Sequence, residues 1–148
     1  MITWQCLSFP QLSTQQLYQL LQLRVDVFVV EQTCPYPELD DKDHQLGVHH
    51  LFGYQGEKLV ACARLLPPGV SYPSVSIGRV ATAETARGHG LGHQLLQQAL
   101  HHCQQLWPDG TIEIGAQAHL EPFYQQYGFI RTSEPYLEDG IPHIDMKR

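Results

Sequence analysis

Ile77-Gly78-Arg79-Val80-Ala81-Thr82, the connector Ala83 to Ala86, and the turn Arg87-Gly88-His89-Gly90-Leu91-Gly92 decide how this chain is read. The first six residues suit a strand. After Gly90, the apolar positions Leu91, Leu95, Leu96, Ala99, Leu100, Cys103 and Leu106 recur at helical spacing until Pro108-Asp109-Gly110 stops them. A strand that enters a helix through a glycine-rich turn makes an anion site. The first N–H groups of the helix have no partner within it, and the macrodipole puts about half a positive charge there. Glycines let the main chain approach a phosphate closely, and Arg87 adds a charged donor. A plain turn can use the same residues, so the motif has to be tested against its neighbours.

Two familiar phosphate motifs do not fit. A dinucleotide fingerprint wants G-x-G-x-x-G early in a βαβ unit, with an acidic residue about 20 positions on. Here Gly88-His89-Gly90-Leu91-Gly92 follows three candidate strands, and no acidic strand end follows the helix. A P-loop would continue Lys-Ser or Lys-Thr, where His93-Gln94 stands.

Upstream, Trp4 to Phe9 reads as an opening strand closed by Pro10. Ser13 and Gln16 form an S-x-x-Q capping box ahead of a long amphipathic helix, whose apolar stripe is Leu17, Leu20, Leu21, Val27 and Phe28. Thr33 to Gly47, with Pro35, Pro37 and the acidic residues Glu38, Asp40, Asp41 and Asp43, reads as a loop. His50 to Gln55 and Lys58 to Leu66 flank Gly56 as a hairpin, and Ser74 to Thr82 is the next strand. Downstream, Thr111 to Ala116 is a short strand. Glu121 to Tyr127 is a short helix with Pro122 in its first turn and Gly128 as its stop; Phe129 to Thr132 and His143 to Lys147 close the sheet. The order β-α-β-β-β-α-β-α-β-β predicts an α/β (α+β) fold, a mixed, largely antiparallel sheet flanked by helices. With no repeat and no long linker, residues 1–148 form one domain.

The chain has 148 residues, 43% hydrophobic and 16% charged, which suits a packed globular protein. Its formal charge of −6 disfavours general nucleic-acid binding, which needs a clustered basic surface. No apolar run approaches the roughly 20 residues of a membrane span, and no secretory pattern opens the chain, so the expected location is cytoplasmic. The four cysteines are scattered and read as reduced thiols. His49-His50 and His101-His102 are adjacent pairs whose side chains diverge, and no zinc spacing occurs, so no metal is expected.

The pattern R-x-x-G-x-G from Arg87 resembles the pyrophosphate motif of the GNAT acetyltransferase superfamily. Tyr124-Gln125-Gln126-Tyr127-Gly128-Phe129 matches that family's Y-x-x-x-G-F, and Gln117 stands where many members carry Asn. Leu23 to Gln32, Cys34-Pro35-Tyr36, Gly115 to Leu120 and Asp139-Gly140-Ile141-Pro142-His143 together resemble the ElaA-type branch, so the likeness covers nearly the whole chain. It implies acetyl-CoA as co-substrate and an amine, small or peptidic, as acceptor. It also implies that Arg87, Gly88, His89, Gly90, Leu91 and Gly92 hold the pyrophosphate, that Val80, Ala81 and Thr82 run beside the pantetheine arm where two strands splay, and that Gln117 lies beside the cofactor. The connector is one residue longer than usual and Gln117 replaces Asn; both blur the mapping.

Acyl transfer to an amine needs a neutral nitrogen, a stabilised carbonyl oxygen and a proton for the departing sulfur. An amine with a pKa near 10.4 is about one part in 2,500 neutral at pH 7, so a base or a water relay is required. Tyr124, with a reference pKa of about 10, is the candidate acid. A plain core aromatic is its alternative. The N–H near Val80 would polarise the carbonyl. Glu31, His119 and Glu113 are candidate bases, since Ser76 to Arg79 lack the carboxylate usual on that strand. Arg24 falls on the apolar helical face, where a guanidinium needs a partner. It either binds a substrate carboxylate or Glu31, or closes a structural ion pair or reaches the rim. Asp40, Asp41 and Asp43 are either a solvated loop or a lining that favours a cationic acceptor. Arg24, Phe28, Glu31, Asp40, Asp43 and Arg64 are also spaced as in acyl-homoserine-lactone synthases, but Cys34-Pro35 replaces the Trp found there and those chains are longer. A non-catalytic acyl-CoA sensor is the other alternative, and a homodimer is compatible with the chain.

Overall fold

The computed structural model describes residues 1–148. Strand β1 (Thr3–Ser8) is followed by α1 (Thr14–Val25), the hairpin β2 (His49–Gln55) and β3 (Lys58–Leu66), and β4 (Val75–Thr82). Then come α2 (Leu91–Leu106), β5 (Ile112–Gln117), α3 (Glu121–Gln125), β6 (Ile130–Arg131), β7 (Tyr136–Glu138) and β8 (Ile141–Lys147). The sheet runs β1-β2-β3-β4-β5-β8-β6, with β7 also paired to β8; every pairing is antiparallel except β4 with β5. The expected mixed sheet is present. β7 is an additional strand, a three-residue piece recruited by β8 across the turn Asp139-Gly140.

The capping box forms as expected: the Ser13 hydroxyl accepts from the Gln16 N–H at 3.0 Å, and Gln16 returns a bond to the Ser13 N–H at 2.9 Å. Helix α1 does not end at Val25 but widens into a π-helical segment over Asp26–Glu31. It buries Leu20, Leu23, Arg24 and Val27, whereas Leu17 and Leu21 lie at the margin.

Two apolar layers sandwich the sheet. Leu20, Leu23 and Val27 pack on Phe52, Cys62 and Ala81 on one face. On the other, Leu91, Leu95, Leu96, Ala99 and Cys103 of α2, with Tyr124 and Phe129, cover Leu51, Ala63, Ile77, Ile114, Ile144 and Met146. Alternation in the strands decides which residue meets which layer. No helix is long and apolar enough to cross a membrane.

Two irregularities in β4 create the site. Opposite β3, Cys62 pairs with Ala81 and Arg64 with Gly78, so Arg79 and Val80 together face Ala63 in a bulge. Arg79 takes φ 50°, a left-handed conformation uncommon for a side chain of that size. Opposite β5, only Val75–Ile112 and Ser76–Glu113 pair. Beyond Ser76 the two parallel strands separate.

Candidate active site

The separation leaves one edge of β4, from Ile77 to Thr82, without a strand partner. It opens a cleft of about 480 Å³ whose walls include Gly78 to Val80 on one side and Ile114 to Gln117 on the other. Unpaired strand-edge N–H and C=O groups in such a gap suit an amide-rich chain that adds itself as a strand.

At the end of the connector, a single 3₁₀ turn over Glu84–Ala86 delivers Arg87 to the start of α2. Gly88 (φ 96°) and Gly90 (φ 74°) hold conformations that favour glycine, and a Cβ at either would point into open space. No side chain caps the helix, so its first N–H groups are directed at the turn without a side-chain acceptor. His89 is exposed, whereas the Leu91 side chain anchors the turn in the core. Glycine cradle, uncapped helix start and adjoining open strand edge together fit a diphosphate with an extended arm. Arg87 itself is engaged: its guanidinium donates to both carboxylate oxygens of Glu31 at 2.6 and 2.9 Å, and to the Thr82 carbonyl at 2.8 Å. This pair lies on the surface. It holds the Glu31 carboxyl below the usual range.

Tyr124 lies across the cleft on α3, buried against Phe123 and Phe129. Burial alone pushes its hydroxyl up to about 12, above the reference value used in the sequence reading. Gln117 ends β5 on the cleft wall.

Arg24 is not on that wall. It is 1% exposed, and its guanidinium donates to Glu38 at 2.6 Å and to Asp43 at 2.7 Å. Of the alternatives for Arg24 the structural ion pair is the one present, and Glu31 is not its partner, because the loop 33–47 supplies the carboxylates of Glu38 and Asp43. Arg64 binds Asp40 (2.8 Å) and Asp43 (3.0 Å), and Arg79 binds Glu38 (2.8 Å) while stacking on Tyr36. Tyr36 donates to Glu38 in turn. Three arginines and three carboxylates cancel. For Asp40, burial acts to raise the pKa, but the hydrogen bond and charge of Arg64 outweigh it and hold the carboxyl well below the usual range. The acidic loop is therefore neither simply solvated nor a bare anionic lining: Glu38 and Asp43 are buried, Asp40 is half-buried, and only Asp41 is exposed.

None of the three candidate bases faces the cleft. Glu31 is bound to Arg87, His119 is exposed on the turn before α3, and Glu113 sits where β4 and β5 are still paired. The cleft instead contains Tyr36, Tyr72, Arg79 and His143, to which the sequence reading gave no role. For His143 a signal existed: it alternates with Ile144 and Met146, so an inward strand would turn it to the opposite face.

Fold, splayed strands and glycine turn define an acyl-CoA-dependent transferase architecture. The chain belongs to the GNAT acetyltransferase family, since the acetyltransferase (GNAT) domain model matches residues 12–148. Along its whole length it is 49% identical to Protein ElaA of Escherichia coli, covering 97% of that protein. The crystal structure of E. coli ElaA superposes with a TM-score of 0.95, over 100% of this chain and 99% of that one. A Pseudomonas aeruginosa acyl-CoA N-acyltransferase, 47% identical, gives 0.96 over 100% and 99%. The acyl-homoserine lactone synthase BjaI, at 19% identity, gives 0.80 over 99% of this chain and 82% of that one; it shares the fold.

Proposed function

We propose that this acyltransferase moves the acetyl group of acetyl-CoA to a primary amine by direct attack within a ternary complex. One observation carries the reading: β4 and β5 pair over two residues and then part, with the glycine turn of α2 at one end and Tyr124 across the gap. The turn Arg87 to Gly92 would hold the diphosphate, and the open edge Val80 to Thr82, with Gln117 opposite, the amide arm. Acetyl-CoA supplies the activated thioester carbonyl. A backbone N–H near Val80 would polarise that carbonyl, where the bulge frees the main chain.

Tyr124 acts as the donor to the departing sulfur. With its pKa near 12, the hydroxyl is fully protonated near neutrality, ready to donate and unable to serve as a base. Arg24 contributes at one remove, fixing the loop 33–47 that forms part of the cleft wall, while Glu31 is the anion that a diphosphate would displace from Arg87.

The test is titration calorimetry with CoA and acetyl-CoA, followed by a screen of primary amines with detection of free thiol. Native protein giving no heat would overturn the reading. Tyr124→Phe should lower kcat by at least about tenfold with CoA affinity unchanged. Equal turnover of variant and wild type at every pH would remove Tyr124 from the reaction.

A further inference from the structure

The attacking amine needs a proton acceptor on the cleft wall, and one imidazole lies there. We propose that His143 is that acceptor, a role that rests on the transfer reading above. His143 sits on β8 directly opposite Gln117 of β5, beside the open part of the gap. Its neighbours Ile144 and Met146 are buried in the core under α2 and α3. Alternation therefore turns His143 to the other face of the sheet, away from the layer that contains Tyr124. The two side chains reach one cleft from opposite faces. The attacking nitrogen approaches one face of the planar thioester while the sulfur lies within its plane, so the proton acceptor and the proton donor need separate places in the cleft.

The local contacts fix the tautomer of the neutral ring. Nδ1 of His143 lies 2.7 Å from the carbonyl oxygen of Ile141, which can only accept, so Nδ1 carries the hydrogen and Nε2 keeps its lone pair. Nε2 is 3.6 Å from a Glu138 carboxylate oxygen, a contact that becomes attractive once the ring is charged. Tyr136 stacks on the ring and limits its rotation. The charged or titratable groups around it are Glu138 and Tyr136 of β7, Asp139 of the turn and Asp145 on its own strand; Gln117 faces it from β5.

The protons balance. A protonated primary amine gives one proton to Nε2, which passes it to solvent. The neutral nitrogen forms the C–N bond as the C–S bond breaks; its second proton passes through Nε2 to solvent, and the sulfur gains one from Tyr124, which solvent re-protonates.

The test is His143→Gln, assayed by thiol release from acetyl-CoA with two probe acceptors. Ethylamine is almost wholly protonated at pH 7, whereas hydroxylamine is largely neutral there and needs no base to become a nucleophile. The expected result is a loss of about 100-fold or more with ethylamine at pH 7, a loss within about threefold with hydroxylamine, and unchanged acetyl-CoA binding heat. The ethylamine defect should shrink as the pH approaches the amine's own pKa. Equal loss with both probes would make His143 structural and overturn the proposal, as would undiminished ethylamine turnover. Absence of acetyl-CoA heat in the wild type would instead bring down the transfer reading and this role with it.

Discussion

Arg24 and Arg87 each hold a carboxylate at 2.6 Å, yet the side chain of one is 1% exposed and that of the other 37%. Equal bond lengths conceal opposite consequences. Around Arg24 the carboxylates of Glu38 and Asp43 have been taken out of water, so each charge depends on its partner. Replacing such a set by apolar groups can be neutral, but breaking it leaves a charge stranded. Around Arg87 water is the competing partner, the pair adds little to folding, and the guanidinium stays free to exchange one anion for another. Burial separates the arginine that builds the molecule from the one left at the surface, where the proposed diphosphate would meet it.

The sharpest way to break this comparison is to remove each arginine in turn. Arg24→Met should destabilise the fold by about 3–5 kcal/mol in urea denaturation, because Glu38 and Asp43 lose their shared partner. Arg87→Glu should change stability by no more than about 1 kcal/mol and weaken CoA binding by more than about tenfold in calorimetry. Similar effects of the two substitutions on stability would erase the distinction.

Acid sharpens it next. Burial acts to raise the Asp40 and Asp43 carboxyls, but the hydrogen bonds and charges of Arg64 on the first and Arg24 on the second prevail and hold both below the unfolded value of about 3.9. Depressed carboxyls stabilise the fold fully above the unfolded pKa, and that contribution drains away as pH falls through the folded value. The urea midpoint should thus decline steeply below about pH 4, and Arg24→Met should flatten the decline by relieving Asp43. Parallel pH profiles for the two proteins would contradict this account.

The smallest expected effect is Glu31→Gln. Freeing Arg87 should raise CoA affinity by up to about threefold at low salt and leave stability within about 0.5 kcal/mol. Weaker binding in that variant would mean that Glu31 holds Arg87 in its receptive pose.

Much of the architecture is legible in the sequence. The Ser13–Gln16 cap, the hairpin about Gly56 and the stripe from Leu91 to Leu106 are local patterns, and the elements formed nearly where their periods ended. The glycine turn at Arg87 to Gly92 was legible for the same reason. What escaped is what depends on distant segments meeting. The acidic loop could not be matched to Arg24, Arg64 and Arg79, because its carboxylates lie 14 to 41 positions from the guanidinium groups they bind. The β7 strand is too short to carry a period, and it exists because β8 offers an edge. His143 was passed over because its meaning lies in the Gln117 opposite it, a register fixed only when β5 and β8 pair.

The two-residue contact between β4 and β5 has a mechanical corollary. The sheet is two panels, β1 to β4 and β5 to β8, stitched at one corner, and the helix layer formed by α2 and α3 is what holds them at a set angle. Backbone amides facing the seam beyond Ser76 have no neighbour strand to shield them. They should exchange with deuterated water sooner than their counterparts between β2 and β3, and slow down once a ligand threads the opening.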